Sequence, residues 1–249
     1  MNTDESRWRR AIPEKLMLSN EVHVWRAFLD SPQFEMESLL EVLSVDELER
    51  ASRFHFERDK KRFIVSRWIL RNILSHYLDI SAQKVLFEYT SQGKPVLAHK
   101  PGEATYHFNL SHSGEFALYA VSPESGVGID IERVQDDISV DQISQKFYSH
   151  KEIHQLEIIH KNDRSELFFQ YWTRKEALLK ATGEGISFQM EQCDVSLIDG
   201  GVLSPIILPG NNEESSSWYV QDLSPGPGYV AAIAVESSNC TISCWHYCL

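Results

Sequence analysis

The stretch GVGIDIER, residues 126–133, decides the fold prediction because it has the pattern of a buried strand that also carries two acids. In an extended chain the side chains alternate, so Asp130 and Glu132 share one face while Ile129 and Ile131 share the other. Two carboxylates one strand step apart on the same face repel each other unless a cation lies beside them. The stretch therefore predicts a strand with one face in the core and a cation at the other.

The composition is that of an ordinary globular chain with room for a sizeable core. The chain has 249 residues, of which 42% are hydrophobic and 24% are charged. A net charge of −12 argues against a general nucleic-acid binder. No apolar run reaches the roughly 20 residues of a membrane span, and residues 1–18 lack the apolar core of a secretory signal. We therefore expect a cytoplasmic protein with neither nucleic acid nor membrane as a partner.

The cysteines favour a reducing compartment, because four in a chain of this length do not make a disulfide framework. Three of them, Cys240, Cys244 and Cys248, fall in the tail NCTISCWHYCL. If the tail is a strand, these three side chains share a face. A metal site is an alternative, but the tail lacks a Cys-x-x-Cys pair, so we expect the cysteines to be small core residues.

The order of predicted elements nearly repeats. The helical stretch VSRWILRNIL is similar to WTRKEALLKA, with 107 residues from Arg67 to Arg174. The strand-like GEFALYAVS is similar to GYVAAIAVES, with 114 residues from Gly114 to Gly228. Such a repeat predicts an α+β fold of two similar halves related by a pseudo-two-fold axis, with a ligand cleft at their junction. A single α+β domain with chance similarity is the alternative.

We place the boundary between the halves after residue 124, which gives segments 1–124 and 125–249. The second contains Asp130 and Glu132 and would carry the cation site. Ser44, with Glu47 three residues later, is a predicted helix N-cap. Gly183 is a predicted C-cap, and residues 209–217 are a predicted polar loop.

A second informative stretch is YWTRKEALLKATGEG, residues 171–185. On a helix Trp172, Glu176 and Lys180 are four residues apart and therefore lie on one face. A solvated Glu–Lys pair is the common reason for this spacing, although an aromatic residue on the same face favours a surface covered by protein or ligand.

Combined with Asp130 and Glu132, Glu176 completes a set of three hard oxygen ligands, which suits Mg²⁺ and not zinc. Protein-bound Mg²⁺ commonly bridges to substrate phosphates, so we expect an anionic phosphate ligand nearby. Lys180, one turn beyond Glu176, is placed to hold that phosphate.

The motif VGIDIE, followed by WTRKEALLK with 41 residues between Asp130 and Trp172, resembles the paired signature of the Sfp-type 4'-phosphopantetheinyl transferases. The similarity extends through RASRFHFERD, SQGKPVL and FNLSHSGEFAL, roughly residues 45–190. The length also resembles the two-half, monomeric members of that family.

The resemblance implies site residues, with coenzyme-binding segments in residues 1–124 and a metal site in residues 125–249. Asp130, Glu132 and Glu176 would be Mg²⁺ ligands, and Lys180 would contact the pyrophosphate of coenzyme A. The further positions that match coenzyme-binding segments of the family are Arg50, Gly93, Lys94, Pro95, Asn109, Leu110, Ser111 and His112. For two of these positions a purely structural role is the alternative: Lys94 could occupy a hairpin turn, and His112 could be a histidine at the end of a strand. Glu152 matches a further acid sometimes given a role near the active site.

One position departs from the family pattern. Phe63 stands where some relatives place a small hydroxyl residue near the 3'-phosphate, which puts that contact in doubt. Arg62 and Arg50 are the nearest substitutes.

The implied activity is transfer of phosphopantetheine from coenzyme A to a serine of an apo acyl or peptidyl carrier protein, with release of adenosine 3',5'-bisphosphate. Glu176 is the first candidate for the general base, with Glu152 or a water as alternatives. Two rival classes are a Mg²⁺-dependent phosphohydrolase acting on a nucleotide and a non-enzymatic module that binds coenzyme A or the carrier.

Residues 50–71 carry eight basic side chains against two acids, in a chain that is acidic overall. This local charge predicts a surface for the coenzyme phosphates and for an acidic carrier protein. Helical spacing places Lys60, Arg67 and Arg71 on roughly one face, which we predict to be the docking face for the carrier. A solvated helix face with snorkelling arginines is the alternative for some of them.

Overall fold

The fold is described here from a computed structural model, which covers residues 8–10, 20–91, 93–98, 106–123, 126–136, 138–183, 190–198, 201–206, 208 and 218–248. The predicted polar loop at residues 209–217 lies outside the described residues.

The structure describes eleven strands. They are β1 (Trp8–Arg9), β2 (Glu21–Phe28), β3 (Phe87–Tyr89), β4 (Pro95–Leu97), β5 (His107–Ser113), β6 (Phe116–Ser122), β7 (Val127–Arg133), β8 (Ser204–Ile206), β9 (Trp218–Leu223), β10 (Tyr229–Val235) and β11 (Thr241–His246).

Six α-helices are described, and none of them is long and apolar enough to cross a membrane. They are α1 (Met36–Leu40), α2 (Val45–Ser52), α3 (Glu57–Leu78), α4 (Val140–Phe147), α5 (His150–Ile158) and α6 (Arg164–Thr182). The sequence stretch from Ser44 onward therefore forms two helices and not one, with a break at residues 53–56.

The strands form two main sheets and a hairpin. One sheet has the order β1-β11-β2-β6-β5, the other has the order β7-β10-β9-β8, and β3 pairs with β4. In the five-stranded sheet β11 runs parallel to both β1 and β2, whereas β2, β6 and β5 pair antiparallel. The predicted α+β class is confirmed.

The layers follow from alternation along the strands. In β6, Ala117 and Tyr119 pack with α3, while Leu118 and Ala120 pack against the other sheet. In β10, the same alternation directs Ala232 toward α6. Both strands are buried on both faces because each sheet lies between a helix and the other sheet. The order of layers is α3, five-stranded sheet, four-stranded sheet, α6.

A capping-box glutamate of the first half is buried against two arginines. Ser44 and Glu47 form the predicted capping box at the start of α2. The Glu47 carboxylate also accepts from Arg67 Nε at 2.6 Å and from Arg71 Nε at 2.7 Å. Both arginines are buried, so the prediction that they belong to an exposed docking face with Lys60 is wrong. A buried carboxylate requires cationic partners. The helical spacing of Arg67 and Arg71 places both on the buried face of α3, where they pair with Glu47.

The second half contains a comparable arrangement. Ser149 and Glu152 form a capping box at the start of α5, and Lys175 Nζ lies 3.0 Å from Glu152 Oε2. Glu152 Oε1 accepts from the backbone N–H of Val195 at 2.8 Å. Each half therefore joins a short capped helix to its long helix through a buried ion pair. The two-fold relation and the boundary after residue 124 stay predictions.

The last strand, β11, lies between β1 and β2 in the five-stranded sheet. Of the tail cysteines, Cys244 is buried within this strand, as predicted, whereas Cys248 follows the strand and is exposed. The expectation of a shared buried face is therefore wrong for Cys248, because the strand ends two residues before it.

Candidate active site

Helix α6 lies directly on β7 because residue 128 is a glycine. A Cβ atom at Gly128 would overlap the carbonyl oxygen of Ala177 and the backbone nitrogen of Ala181. Asp130 and Glu132 follow on the same face of the strand, since side chains alternate. The close approach at Gly128 therefore brings both acids beside the last turns of α6.

Lys180 supplies the cation that the two acids in β7 require. Its Nζ atom lies 2.7 Å from Asp130 Oδ1 and donates to Ser111 Oγ at 3.0 Å. The Ser111 hydroxyl in turn donates to Asp130 Oδ1 at 2.8 Å. Asp130 is buried, while the Lys180 side chain is 29% exposed, so the ammonium group reaches both the acid and the solvent.

The predicted helical stripe is present on α6. Trp172, Glu176 and Lys180 are partly exposed, whereas residues 173–175 and 177–179 are buried. The Trp172 ring packs against Phe147 at 5.8 Å and Phe168 at 6.3 Å between ring centroids. Trp172 is thus packed against other aromatic side chains. Of the three stripe residues, Glu176 and Lys180 line an open groove.

This groove has a volume of about 310 Å³, a size typical of small-molecule sites. It is lined by Thr90, Gly93, Lys94, Pro95, Asn109, Leu110, Glu176, Leu179, Lys180 and Gly183. Gly93 has a φ of 79° in the turn between β3 and β4, and Gly183 ends α6 with a φ of 75°; both conformations favour glycine. Seven of the predicted site residues therefore meet in one groove between the hairpin and α6.

Lys94 fastens the hairpin to the end of α6. Its Nζ atom donates to the carbonyl oxygen of Lys180, one of the carbonyls that a helix leaves without an internal partner at its end. Burial, and then the positive charge of Lys180, lower the pKa of Lys94. Two ammonium groups thus approach the same groove from opposite halves of the chain.

Strand β5 joins β7 through its side chains. Asn109 Oδ1 accepts from the backbone N–H of Ile129 at 2.9 Å, and Ser113 Oγ donates to Glu132 Oε2 at 2.8 Å. With Ser111 these residues occupy alternate positions, which explains their common direction. The sequence interpretation missed Ser113, although the spacing in NLSHS already placed it on the same face as Asn109 and Ser111.

Three further predicted positions do not line the groove. His112 points to the opposite face of β5 from Ser111, where desolvation and the charges of Lys180 and Arg62 lower its pKa. Arg50 is exposed, with its guanidinium carbon 5.7 Å from the centre of the Phe63 ring. Arg62, the other substitute for the 3'-phosphate contact, donates from Nε to Asp30 at 2.9 Å.

The surroundings of the two glutamates of the site disfavour their charged forms. Burial, together with the charge of Asp130, raises the pKa of both Glu132 and Glu176. Among the described residues, Asp130 Oδ2 is a buried atom with no hydrogen-bond partner. Such an oxygen fits a further cation, and a set of carboxylates suits a hard divalent ion.

The described residues do not by themselves form a recognisable metal centre. No group of three or more histidine, cysteine or acidic side chains among them is arranged to hold a metal ion. The residues fit Mg²⁺ by their chemistry, through the unpartnered Asp130 oxygen and the raised pKa values of the two glutamates, while the cation in contact with Asp130 is Lys180.

Comparison with known proteins gives the family. Residues 30–124 match the 4'-phosphopantetheinyl transferase N-terminal family, and residues 126–234 match the 4'-phosphopantetheinyl transferase superfamily. Over 240 residues the chain is 37% identical to the 4'-phosphopantetheinyl transferase HetI of Nostoc sp. (strain PCC 7120), with 96% of this chain and 98% of that one covered. The chain belongs to the 4'-phosphopantetheinyl transferase family.

More distant members agree with this placement. The chain is 28% identical over 212 residues to 4'-phosphopantetheinyl transferase Sfp of Bacillus subtilis (strain 168), with 84% of this chain and 90% of Sfp covered. It is 30% identical over 209 residues to the mouse L-aminoadipate-semialdehyde dehydrogenase-phosphopantetheinyl transferase, covering 78% of this chain and 67% of that one. The predicted Sfp-type resemblance and the enzyme class, transfer of phosphopantetheine, are confirmed.

Proposed function

We propose that this phosphopantetheinyl transferase uses coenzyme A as donor and a serine hydroxyl of an apo acyl or peptidyl carrier protein as acceptor. The reaction depends on Mg²⁺ and releases adenosine 3',5'-bisphosphate. The protein acts as a cytoplasmic monomer. The observation that carries this proposal is the groove lined by Lys94, Lys180 and Glu176, in which Lys180 also contacts Asp130 of β7.

The two lysines suit a pyrophosphate. Lys94 and Lys180 line the same groove, and positive charge held in place there stabilises the negative charge that develops as a phosphate ester bond breaks. Lys94 is held by the α6 carbonyl, and Lys180 by Asp130 and Ser111. Because the groove has a wall from each half of the chain, a ligand within it is bound by both.

Asp130, Glu132 and Glu176 would hold Mg²⁺. When bound, the ion supplies a positive charge that polarises the reacting phosphate. The chain's own contribution would be to orient the two carboxylates of β7, through the contact of Asp130 with Lys180 and the hydrogen bond from Ser113 to Glu132.

The serine proton of the acceptor needs a base, and Glu176 is our candidate. Burial raises its pKa, and a carboxylate with a raised pKa is a better proton acceptor near neutral pH. Glu152 does not suit this role, because both of its oxygens are bonded to the protein, to Val195 and to Ser149 and Lys175.

The acidic carrier would meet the basic residues that remain on the surface. With Arg67 and Arg71 buried, the basic residues of the 50–71 segment that are exposed are Arg50, Arg53 and Arg58. They lie at the end of α2, in the break that follows, and at the start of α3. Charge complementarity there would steer an acidic partner toward the protein.

The test is to incubate the protein with coenzyme A, MgCl₂ and several apo carrier proteins, and to weigh the carriers by mass spectrometry. We expect a carrier to gain the mass of one phosphopantetheine group, and to gain nothing in the presence of a chelator. Loss of coenzyme A without any modified carrier would indicate a phosphohydrolase. Coenzyme binding without any reaction would indicate a binding module, and light scattering would test the monomer.

A further inference from the structure

Ser113 makes two hydrogen bonds to consecutive residues of β7. Its hydroxyl donates to Glu132 Oε2 at 2.8 Å and accepts from the backbone N–H of Arg133 at 3.0 Å. One hydroxyl thus joins the Glu132 carboxylate to the backbone directly after it. A serine hydroxyl has one proton to donate, and since the Arg133 N–H occupies an acceptor position, that proton is directed at the carboxylate.

The arrangement repeats the one at the neighbouring acid. Ser111 donates to Asp130 at 2.8 Å, so two serines two positions apart face two acids two positions apart. The two serines differ in their other contacts. Ser111 also accepts from Lys180, whereas the hydrogen bonds described for Ser113 involve only Glu132 and Arg133.

The position of Glu132 depends on this contact. Its side chain is partly exposed and has several rotatable bonds, and ordering such a side chain costs rotamer entropy. Gly114 follows Ser113 with a φ of 57°, a conformation that favours glycine. The turn thus begins directly after Ser113, the last residue of β5.

We propose that Ser113 is a positioning residue, whose hydroxyl holds the Glu132 carboxylate in the orientation in which it contributes to a Mg²⁺ site with Asp130 and Glu176. This inference rests on the proposed function. It assigns Ser113 no contact with coenzyme A or with the reacting atoms, so the hydroxyl affects the reaction only through the affinity for the metal.

The expected result follows from how such residues behave elsewhere. Removing a residue that orients a metal-ligating side chain typically lowers the affinity for the metal 10-fold or more. We expect Ser113→Ala to need roughly 10-fold more Mg²⁺ for half-maximal transfer, with the KM for coenzyme A unchanged at saturating Mg²⁺. Ser113→Thr keeps the hydroxyl and should restore the wild-type requirement.

The affinity for Mg²⁺ can also be measured without the transfer reaction. Titrating MgCl₂ into the protein alone should raise its Tm, because a ligand that binds the folded state stabilises it. For Ser113→Ala the rise should require roughly 10-fold more MgCl₂. The control is Ser204→Ala, which removes a hydroxyl bonded only to the Val202 carbonyl among the described contacts, and it should match wild type.

A double-mutant cycle keeps the inference falsifiable if Ser113→Ala also lowers the Tm without metal. In a Glu132→Gln background, Ser113→Ala should cause no further loss of Mg²⁺ affinity, because the residue acts through that carboxylate. Additive losses, a wild-type Mg²⁺ requirement in Ser113→Ala, or a Thr variant as poor as Ala would each overturn the inference. A wild-type protein that transfers equally well in chelator would instead overturn the metal dependence in the proposed function.

Discussion

The Nζ atom of Lys180 and the Oδ1 atom of Asp130 lie 2.7 Å apart and join α6 to β7. The pair connects the VGIDIE and WTRKEALLK motifs, although its two residues are 50 positions apart in the chain. It also places a cation beside a strand whose two acids would otherwise repel each other. The chemistry we propose for the groove therefore centres on this contact.

Replacing Lys180 tests whether its charge acts during the reaction. We expect Lys180→Ala to lower kcat strongly with a smaller rise in the KM for coenzyme A, since a fixed positive charge matters most as the pyrophosphate bond breaks. Steady-state kinetics with a saturating carrier would measure this. The control is Lys151→Ala, whose side chain is 70% exposed and pairs with Asp194. Wild-type kinetics in the Lys180 variant would assign that residue to structure alone.

Replacing Asp130 tests the metal ligand. Asp130 is only 4% exposed, so Asp130→Ala would remove packed atoms as well as the charge. Asp130→Asn keeps the shape and removes the charge, so it is the better variant. We expect transfer to be abolished while the circular dichroism spectrum is retained. Transfer at a near wild-type rate with limiting Mg²⁺ would contradict the proposed ligand role.

The pH dependence of stability should report the crowded acids. The folded-state pKa of Glu176 is raised by burial and by Asp130, so the folded protein binds protons more readily than the unfolded chain. Without metal, stability should then rise as the pH falls through the folded pKa toward the ordinary value of 4.5.

The matching variant is Glu176→Gln. Above the folded pKa and without metal, its Tm should exceed that of wild type, and the difference should shrink as the pH falls. Adding MgCl₂ should reverse the order, because the wild type gains more from a bound cation. A Tm difference that is the same at every pH would show that the charge of Glu176 does not oppose folding.

The buried Glu47 should matter for stability and not for chemistry. Glu47→Ala leaves Arg67 and Arg71 buried without their carboxylate, and breaking a buried pair in this way costs about 3–5 kcal/mol in free energy of unfolding. Glu57→Ala, at a side chain that is 87% exposed, should stay within about 0.5 kcal/mol of wild type. Urea denaturation measures both, and equal values would contradict the structural role.

Gly128→Ala tests the approach of α6 to β7. The added methyl group would overlap the backbone of Ala177 and Ala181, so α6 must shift at a cost of about 1–3 kcal/mol. The same shift would move Glu176 and Lys180 relative to Asp130 and lower kcat. Gly126→Ala, where the added atom would meet the Trp218 ring at 3.1 Å, should have a smaller effect on both measurements.

Local signals in the sequence predicted much of this arrangement correctly. Alternation placed Asp130 and Glu132 on one face of β7, and helical spacing placed Glu176 and Lys180 on one face of α6. The end signals at Ser44 and Gly183 are also where the structure has them. These features depend on neighbours within a few residues, which is the range that such patterns describe.

The features that were missed depend on partners far along the chain. Helical spacing places Arg67 and Arg71 on the same face of α3 but does not say whether that face is buried. It is buried because both arginines pair with Glu47 of α2. Likewise, the spacing of Trp172 does not reveal that Phe147 of α4 covers it. The role of Ser113 becomes visible only when β5 lies beside β7.

The position of β11 between β1 and β2 in the five-stranded sheet has a consequence for folding during synthesis. Residues 241–246 pair with β2 and, at Cys244 and Trp245, with β1, yet a ribosome delivers them after the other ten described strands. Until they emerge, β2 exposes an edge whose N–H and C=O groups await a partner, and such edges favour aggregation. The nascent chain therefore completes its five-stranded sheet only after all four strands of the other sheet have been synthesised.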